Sequence, residues 1–227
     1  MNKIMVIAAH PDDEILGCGG TLLKHVIQED HLYVLILGEG ITSRSSMLQE
    51  ECEKIAEKLE SAAQKVGNFM GWEKLFTFKL ADNRFDSIDL LDIVKIIEKV
   101  KEEVAPQVVY THHFGDLNID HRITHEAVLT AFRPFKGASC HRILTFETPS
   151  STEWATPSSH RSFIPNVYVD ITDTIERKCK ALEIYESELR VYPHPRSARA
   201  LKVEAQYRGI HVGMEYAEAF SLVRELL

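Results

Sequence analysis

Near the amino terminus Ile4-Met-Val-Ile-Ala-Ala9 is an unbroken apolar run, stopped at once by His10-Pro11-Asp12-Asp13-Glu14. A run this short and this uniformly apolar predicts a strand buried on both faces, since a half-buried strand alternates polar and apolar side chains. The pattern recurs at Leu32-Tyr-Val-Leu-Ile-Leu37, Leu75-Phe-Thr-Phe-Lys-Leu80 and Gln107-Val-Val-Tyr-Thr111. Between these runs lie helix-like stretches at about 14–29, 46–66 and 89–104, the last carrying Leu90, Leu91, Ile93, Val94, Ile96, Ile97 and Val100. Strands alternating with helices predict βαβ units and a mostly parallel sheet covered on both faces, a Rossmann-like doubly wound α/β fold.

The second half is less regular. Ile119 to Ala131 reads as a helix ending before Pro134, with strands at Ile143–Phe146 and Val167–Ile171. Pro149 to Pro165, rich in Ser, Thr and Pro, reads as a surface loop. Thr172 or Asp173 is placed to cap a helix from Thr174 to Arg190, which Tyr192-Pro-His-Pro195 breaks, and from Ser197 onward one or two closing helices are expected. With no repeat and no linker, the 227 residues are expected to form a single domain, 1–227.

Composition removes several classes of function. With 26 Lys+Arg against 34 Asp+Glu the chain carries a formal charge of −8 and has no basic block. Nucleic acid and anionic membranes are held largely through their phosphates, so neither is an expected partner. Cys18, Cys52, Cys140 and Cys179 form no C-x-x-C pair and read as reduced thiols. No stretch is long and apolar enough for a membrane span or signal peptide, so a cytoplasmic protein is expected.

In an open α/β sheet, ligands bind beyond the carboxyl ends of the strands. After the first strand comes His10-Pro-Asp-Asp-Glu14, and after the fourth His112-His-Phe-Gly-Asp-Leu-Asn-Ile-Asp-His121. Pro11 fixes a turn there, and a helix opening at Asp12-Asp13 favours negative charge at its first turn. His10 and Asp13 can therefore converge, leaving Asp12 as an uncoordinated carboxylate beside them, although both aspartates could simply cap the helix. His121 would complete a His/Asp/His set that leaves a metal an open position for water. His125, one turn further on, could form an alternative pair with His121, or else be a helix-face residue.

Ala9-His-Pro-Asp-Asp-Glu14, followed by Gly17-Cys-Gly-Gly-Thr21, resembles the opening signature of the LmbE-like, or PIG-L, family of zinc-dependent N-deacetylases. Thr111-His-His-Phe-Gly-Asp-Leu-Asn-Ile-Asp-His-Arg122 resembles that family's second motif, and order, spacing and length extend the likeness along the chain. The resemblance implies one Zn2+ per chain on His10, Asp13 and His121, with Asp12 as general base and N-acetylated amino sugars or their conjugates as substrates. It departs at Asn118, where many members carry a histidine that polarises the substrate carbonyl. Asn118 can donate an amide hydrogen bond but no proton. His194, in a Pro-His-Pro-Arg-Ser segment of a kind found in some members, is the preferred replacement as general acid, with His112 and His113 as rivals.

Glu39 and Arg44 after the second strand, together with Arg84, Arg196, His112 and His113, are candidate substrate-binding residues, and Glu14, Asp116 and Asp120 candidate supports behind the site. Gly17-Cys-Gly-Gly20 is not a dinucleotide fingerprint, and its expected role is close packing of a helix. The expected reaction is metal-dependent hydrolysis of an N-acetyl amide, releasing acetate and a free amine. Hydrolysis of another N-acyl amide, a metal-free nucleotide-binding domain and a non-catalytic carbohydrate binder are the competing readings; homo-oligomerisation is compatible with all of them.

Overall fold

The computed structural model describes residues 1–43 and 49–227, without the side chains of residues 49–51. Its strands are β1 (Lys3–Ala8), β2 (His31–Gly38), β3 (Lys74–Leu80), β4 (Val108–His112), β5 (Arg142–Phe146), β6 (Val167–Asp170) and β7 (Ala217–Glu225). They form a sheet in the order β3-β2-β1-β4-β5-β7-β6. β1 to β5 are parallel, and β7 runs antiparallel to both of its neighbours. The helices are α1 (Asp13–Ile27), α2 (Gln49–Met70), α3 (Leu90–Val104), α4 (Ile119–Ala131), α5 (Ile175–Ile184) and α6 (Ala198–Ile210). The mostly parallel doubly wound α/β sheet expected from the sequence is thus present. Its strand order reverses between β1 and β4, which opens a crevice at their carboxyl ends.

The central strands feed two cores. Ile4, Val6, Val34, Ile36 and Tyr110 pack toward α1, α2, α5 and α6, whereas Met5, Ile7, Leu35, Leu37 and Val109 pack toward α3 and α4. That two-residue alternation inside an all-apolar run is what a doubly covered strand requires. Truncating a fully buried member such as Leu22 to Ala costs ~2–5 kcal/mol. The glycines of α1 serve close approach: a Cβ on Gly17 would lie 2.1 Å from the Phe146 ring, and one on Gly20 would lie 2.8 Å from Ile171.

Three expectations for the second half are corrected. The helix beginning near Thr174 ends at Ile184, not Arg190, because Tyr185 turns away and its buried hydroxyl donates to Glu14 Oε1 at 2.7 Å. Its N-cap is Thr174, since Thr172 instead closes a turn onto the Asp170 carboxylate. The chain closes with one helix and then a strand, β7, wedged between β5 and β6. Ala217 to Phe220 are buried, but three of those four residues are Ala or Glu and give little apolar signal. Pro149–Pro165 does connect strands over the surface, yet Ser151 and Thr152 within it are buried.

Candidate metal centre at the switch point

The turn from β1 into α1 is tightly specified. Asp12 has φ 99° and ψ −27°, a left-handed conformation that costs a non-glycine residue ~1–3 kcal/mol and is characteristic of functional sites. Although it occupies the N-cap position, its side chain makes no capping bond. The Asp13 carboxylate likewise turns back, its Oδ2 accepting the His10 N–H at 2.9 Å. Neither carboxylate, therefore, is used simply to cap α1.

Around Asp13 the donor atoms converge. Its Oδ2 lies 3.5 Å from His10 Nδ1 and 3.3 Å from His121 Nε2. The far nitrogen of each imidazole is backed by carboxylates: His10 Nε2 is 2.9 Å from Asp120 Oδ2 and 3.1 Å from Asp82 Oδ1, and His121 Nδ1 is 3.1 Å from Asp116 Oδ1. A carboxylate behind a histidine fixes its tautomer and raises its basicity toward a metal. Among the described residues, buried Asp13 Oδ1 and His121 Nε2 have no hydrogen-bond partner, and His121 Nδ1 meets Asp116 as an ion pair without hydrogen-bond geometry. Two imidazoles, one carboxylate and two orphaned donor atoms fit a divalent cation. His10, Asp82 and Asp120 also lie close enough to hold a metal, but their atoms are already used. Asp120 accepts the backbone N–H groups of Asn83 at 2.6 Å and Phe85 at 3.0 Å, and Asp82 accepts the Ser43 hydroxyl and the Asn83 amide.

Electrostatics agree with this division. Burial disfavours charge on His121, but Asp13 and Asp116 outweigh it and lift its pKa to about 9. Asp116 is also buried, yet His121 and the hydroxyls of Ser151 and Thr152 hold it down to about 2. Asp12 is pushed up to about 7, chiefly by burial, with Arg196 opposing the shift and Asp13 adding to it. Glu14, buried behind Asp12, rises to about 8 for the same primary reason. The pocket thus favours positive charge between His10, Asp13 and His121, whether carried by protons or by a cation.

The structure brings most of the residues singled out by sequence to this edge. Arg196 Nη1 donates to Asp12 Oδ2 and to Glu188 Oε2, both at 3.2 Å. Glu14 accepts the Asp12 N–H at 3.1 Å. Asn118 caps α4, its Oδ1 accepting the Asp120 N–H at 2.8 Å, which leaves Nδ2 as its remaining donor. His194 is half-buried, and its Nδ1 accepts the Arg196 N–H at 3.1 Å, so the neutral ring carries its proton on Nε2.

Other candidates are turned to internal work. His112 is fully buried, its ring stacked on His121 at 4.0 Å, with Nε2 accepting the Ala9 N–H and Nδ1 3.1 Å from Thr148 Oγ1. With both nitrogens engaged it supports His121, and no ring nitrogen is left free for the substrate-binding role expected from sequence. His113 is 2% exposed and donates from Nε2 to the Arg161 carbonyl, so it too braces a loop. Glu39 closes its own turn, accepting N–H groups of Ile41, Thr42 and Asp82. Arg84 is exposed at the start of a short 3-10 turn, and Arg44 lies outside the described residues. His125 donates from Nδ1 to the His112 carbonyl and does not pair with His121 as a ligand.

Sequence reasoning missed Asp82, Tyr185, Thr148, Ser151 and Thr152. Asp82 carried a usable signal, since it follows β3 at the same carboxyl edge that drew attention to the other clusters. The hydroxyl residues stand in a stretch whose composition alone reads as exposed loop.

Residues 5–132 match the family described as PIG-L: GlcNAc-PI de-N-acetylase. The chain is 25% identical over 175 residues to the uncharacterized deacetylase YaiS of Escherichia coli K12, covering 75% of this chain and 82% of that protein. The fold superimposes on N,N'-diacetylchitobiose deacetylase from Pyrococcus horikoshii with a TM-score of 0.77, at 20% identity, over 98% of this chain and 84% of that one. It matches GalB, the 4-carboxy-2-hydroxymuconate hydratase of Pseudomonas putida KT2440, equally well, with a TM-score of 0.77 at 18% identity over 100% and 98% of the two chains. The fold accommodates more than one chemistry, so function rests on the site.

Proposed function

Since the chain belongs to the PIG-L, or GlcNAc-PI de-N-acetylase, family, we propose that it is a metal-dependent N-deacetylase that hydrolyses the acetamide of an N-acetylated amino sugar or sugar conjugate. The observation that carries this reading is the pair of orphaned atoms, Asp13 Oδ1 and His121 Nε2, beside the buried and unliganded carboxylate of Asp12. A binding protein has no use for such a base next to a cation site.

His10, Asp13 and His121 would hold one divalent cation, for which Zn2+ suits the donor set, and it would supply Lewis acidity to a water and to the amide carbonyl. Asp12 accepts the proton of the attacking water, and Arg196 fixes the carboxylate through Oδ2. The amide Nδ2 of Asn118 is a donor for the oxyanion that develops on the substrate. The amine must leave protonated. Burial and the positive charge of Arg196 hold the His194 pKa below its ordinary value, which disfavours an imidazolium there. Return of the proton from Asp12 is therefore the favoured route, with the His194 Nε2–H hydrogen-bonding the substrate.

The test is metal-dependent acetate release from a panel of free, nucleotide-linked and lipid-linked N-acetyl amino sugars. Release that disappears with chelator and returns with Zn2+ is expected. Failure on every amino sugar together with cleavage of another N-acyl amide would move the substrate class while keeping the site, and failure on all amides would overturn the hydrolase reading.

A further inference from the structure

Beside this pocket a tryptophan is displayed on a support too rigid for an ordinary surface loop. Trp154 ends a short 3-10 turn (Thr152–Trp154) after β5 and is 53% exposed. Residues 150–152, at the amino end of the turn, fasten it to groups already placed in the site. On one side the hydroxyls of Ser151 and Thr152 donate to the two oxygens of Asp116, the carboxylate 3.1 Å from His121 Nδ1. On the other, Arg196 donates from Nε to Ser150 Oγ at 2.7 Å while its Nη1 holds Asp12. Within the turn, Glu153 accepts the N–H groups of Ser150 and Ser151, and the Thr152 hydroxyl accepts the Thr148 N–H at 2.7 Å. The indole and the His194 ring are nearly perpendicular, at 84° with centroids 5.9 Å apart.

The hydrogen bonds that orient a metal ligand and the proposed base thus also orient an exposed aromatic face. Leaving about half an indole in water forgoes burial worth about 25 cal/mol per Å2, and a pinned turn cannot fold the ring away. A perpendicular contact with one imidazole covers at most one face of the indole, and a ring 53% exposed keeps the other for a planar partner, such as the flat C–H face of a pyranose. We propose that Trp154 forms a ring-stacking subsite at the mouth of the metal pocket, taking the C–H face of the sugar whose acetamide reaches the metal. This rests on the deacetylase reading and adds to it the group that sets the pose of the ring.

Trp154→Ala and Trp154→Phe, made in the full chain and loaded with Zn2+, separate the possibilities. On methyl N-acetylglucosaminide, Trp154→Ala is expected to raise KM about tenfold with kcat changed by less than about twofold, and Trp154→Phe to recover most of the loss. Hydrolysis of an acyclic N-acetyl amide should be indifferent to either change. A second readout needs no turnover. The tryptophans are Trp72 and Trp154, and Trp72 lies just before β3, at the edge of the sheet away from the site. Methyl glucosaminide, which is not consumed, should shift the emission of the parent protein saturably and leave Trp154→Phe unmoved. Acetate release with an unchanged KM in Trp154→Ala overturns the subsite and spares the deacetylase. A saturable, Trp154-dependent emission change without acetate release from any glycoside does the reverse, and the absence of both overturns both.

Discussion

Two clusters of buried charge lie along α1, and they are built on opposite plans. At its amino end are His10, Asp12, Asp13 and His121; further along, Lys178 donates to Glu218 at 2.7 Å and to the Leu16 carbonyl at 2.9 Å. Glu218 also accepts the N–H groups of Gly20 and Thr21, and Arg208 grips Glu147 with two nitrogens. In this second cluster every ion pair is closed by hydrogen bonds. In the first, Asp13 Oδ1 and His121 Nε2 have none among the described residues, while Asp82, Asp116 and Asp120 face the imidazoles. Buried charge alone therefore does not mark the site. What marks it is charge that the protein's own groups leave unsatisfied.

That contrast can be broken most directly at Asp12. Asp12→Asn should lower kcat by roughly 10²- to 10⁴-fold while metal content stays stoichiometric, since Asp12 is a base and not a ligand in this scheme. Near-parental turnover in that variant would remove Asp12 as the base. His121→Ala should abolish stoichiometric metal by elemental analysis, and the rise in Tm on adding Zn2+ should vanish with it. His125→Ala should keep both, because its imidazole is spent on the His112 carbonyl. Metal retained by His121→Ala, or lost by His125→Ala, would reverse the ligand assignment.

The closed cluster should respond in the complementary way. Lys178→Ala leaves Glu218 buried without its cation and should cost ~3–5 kcal/mol in chemical denaturation, with metal stoichiometry and kcat unchanged. Loss of metal in Lys178→Ala at temperatures where the protein stays folded would mean that the two clusters are one coupled unit.

Legibility in the sequence followed the same line between local and distant causes. β1, β2 and β4 could be read because burial on both faces leaves an uninterrupted apolar run, and the site because two ligand-dense segments follow strands β1 and β4. β7 could not, because an antiparallel strand inserted between β5 and β6 draws its stability from neighbours far away in sequence. The early end of α5 was hidden for a similar reason, since Tyr185 leaves the helix to reach Glu14, 171 residues away. Asp82 carries no motif of its own. Only its position after β3, and the His10 nitrogen it faces, identify its role.

The subtlest test concerns one carboxylate in the closed cluster. Lys178, Arg208, Glu147, Glu218 and Glu204 line a common small cavity. The two cations are matched by Glu147 and Glu218, so an ionised Glu204 is one negative charge too many. Burial, and then the charge of Glu147, push its pKa from an ordinary 4.5 up to about 8, with Glu153 adding to the rise and Lys178 and Arg208 opposing it. The native state therefore holds a proton that the unfolded chain releases above about pH 4.5, and its stability relative to the unfolded chain falls as pH rises toward about 8. Glu204→Gln keeps the shape and removes the titration. Its stability should match the parent at pH 4 and exceed it increasingly up to about pH 8, then run parallel above. Taking the difference between the two proteins at each pH cancels the other carboxylates, those of the candidate metal centre included. A difference that is flat with pH would show that Glu204 ionises freely, and the second cluster would then carry an unbalanced charge much as the first does.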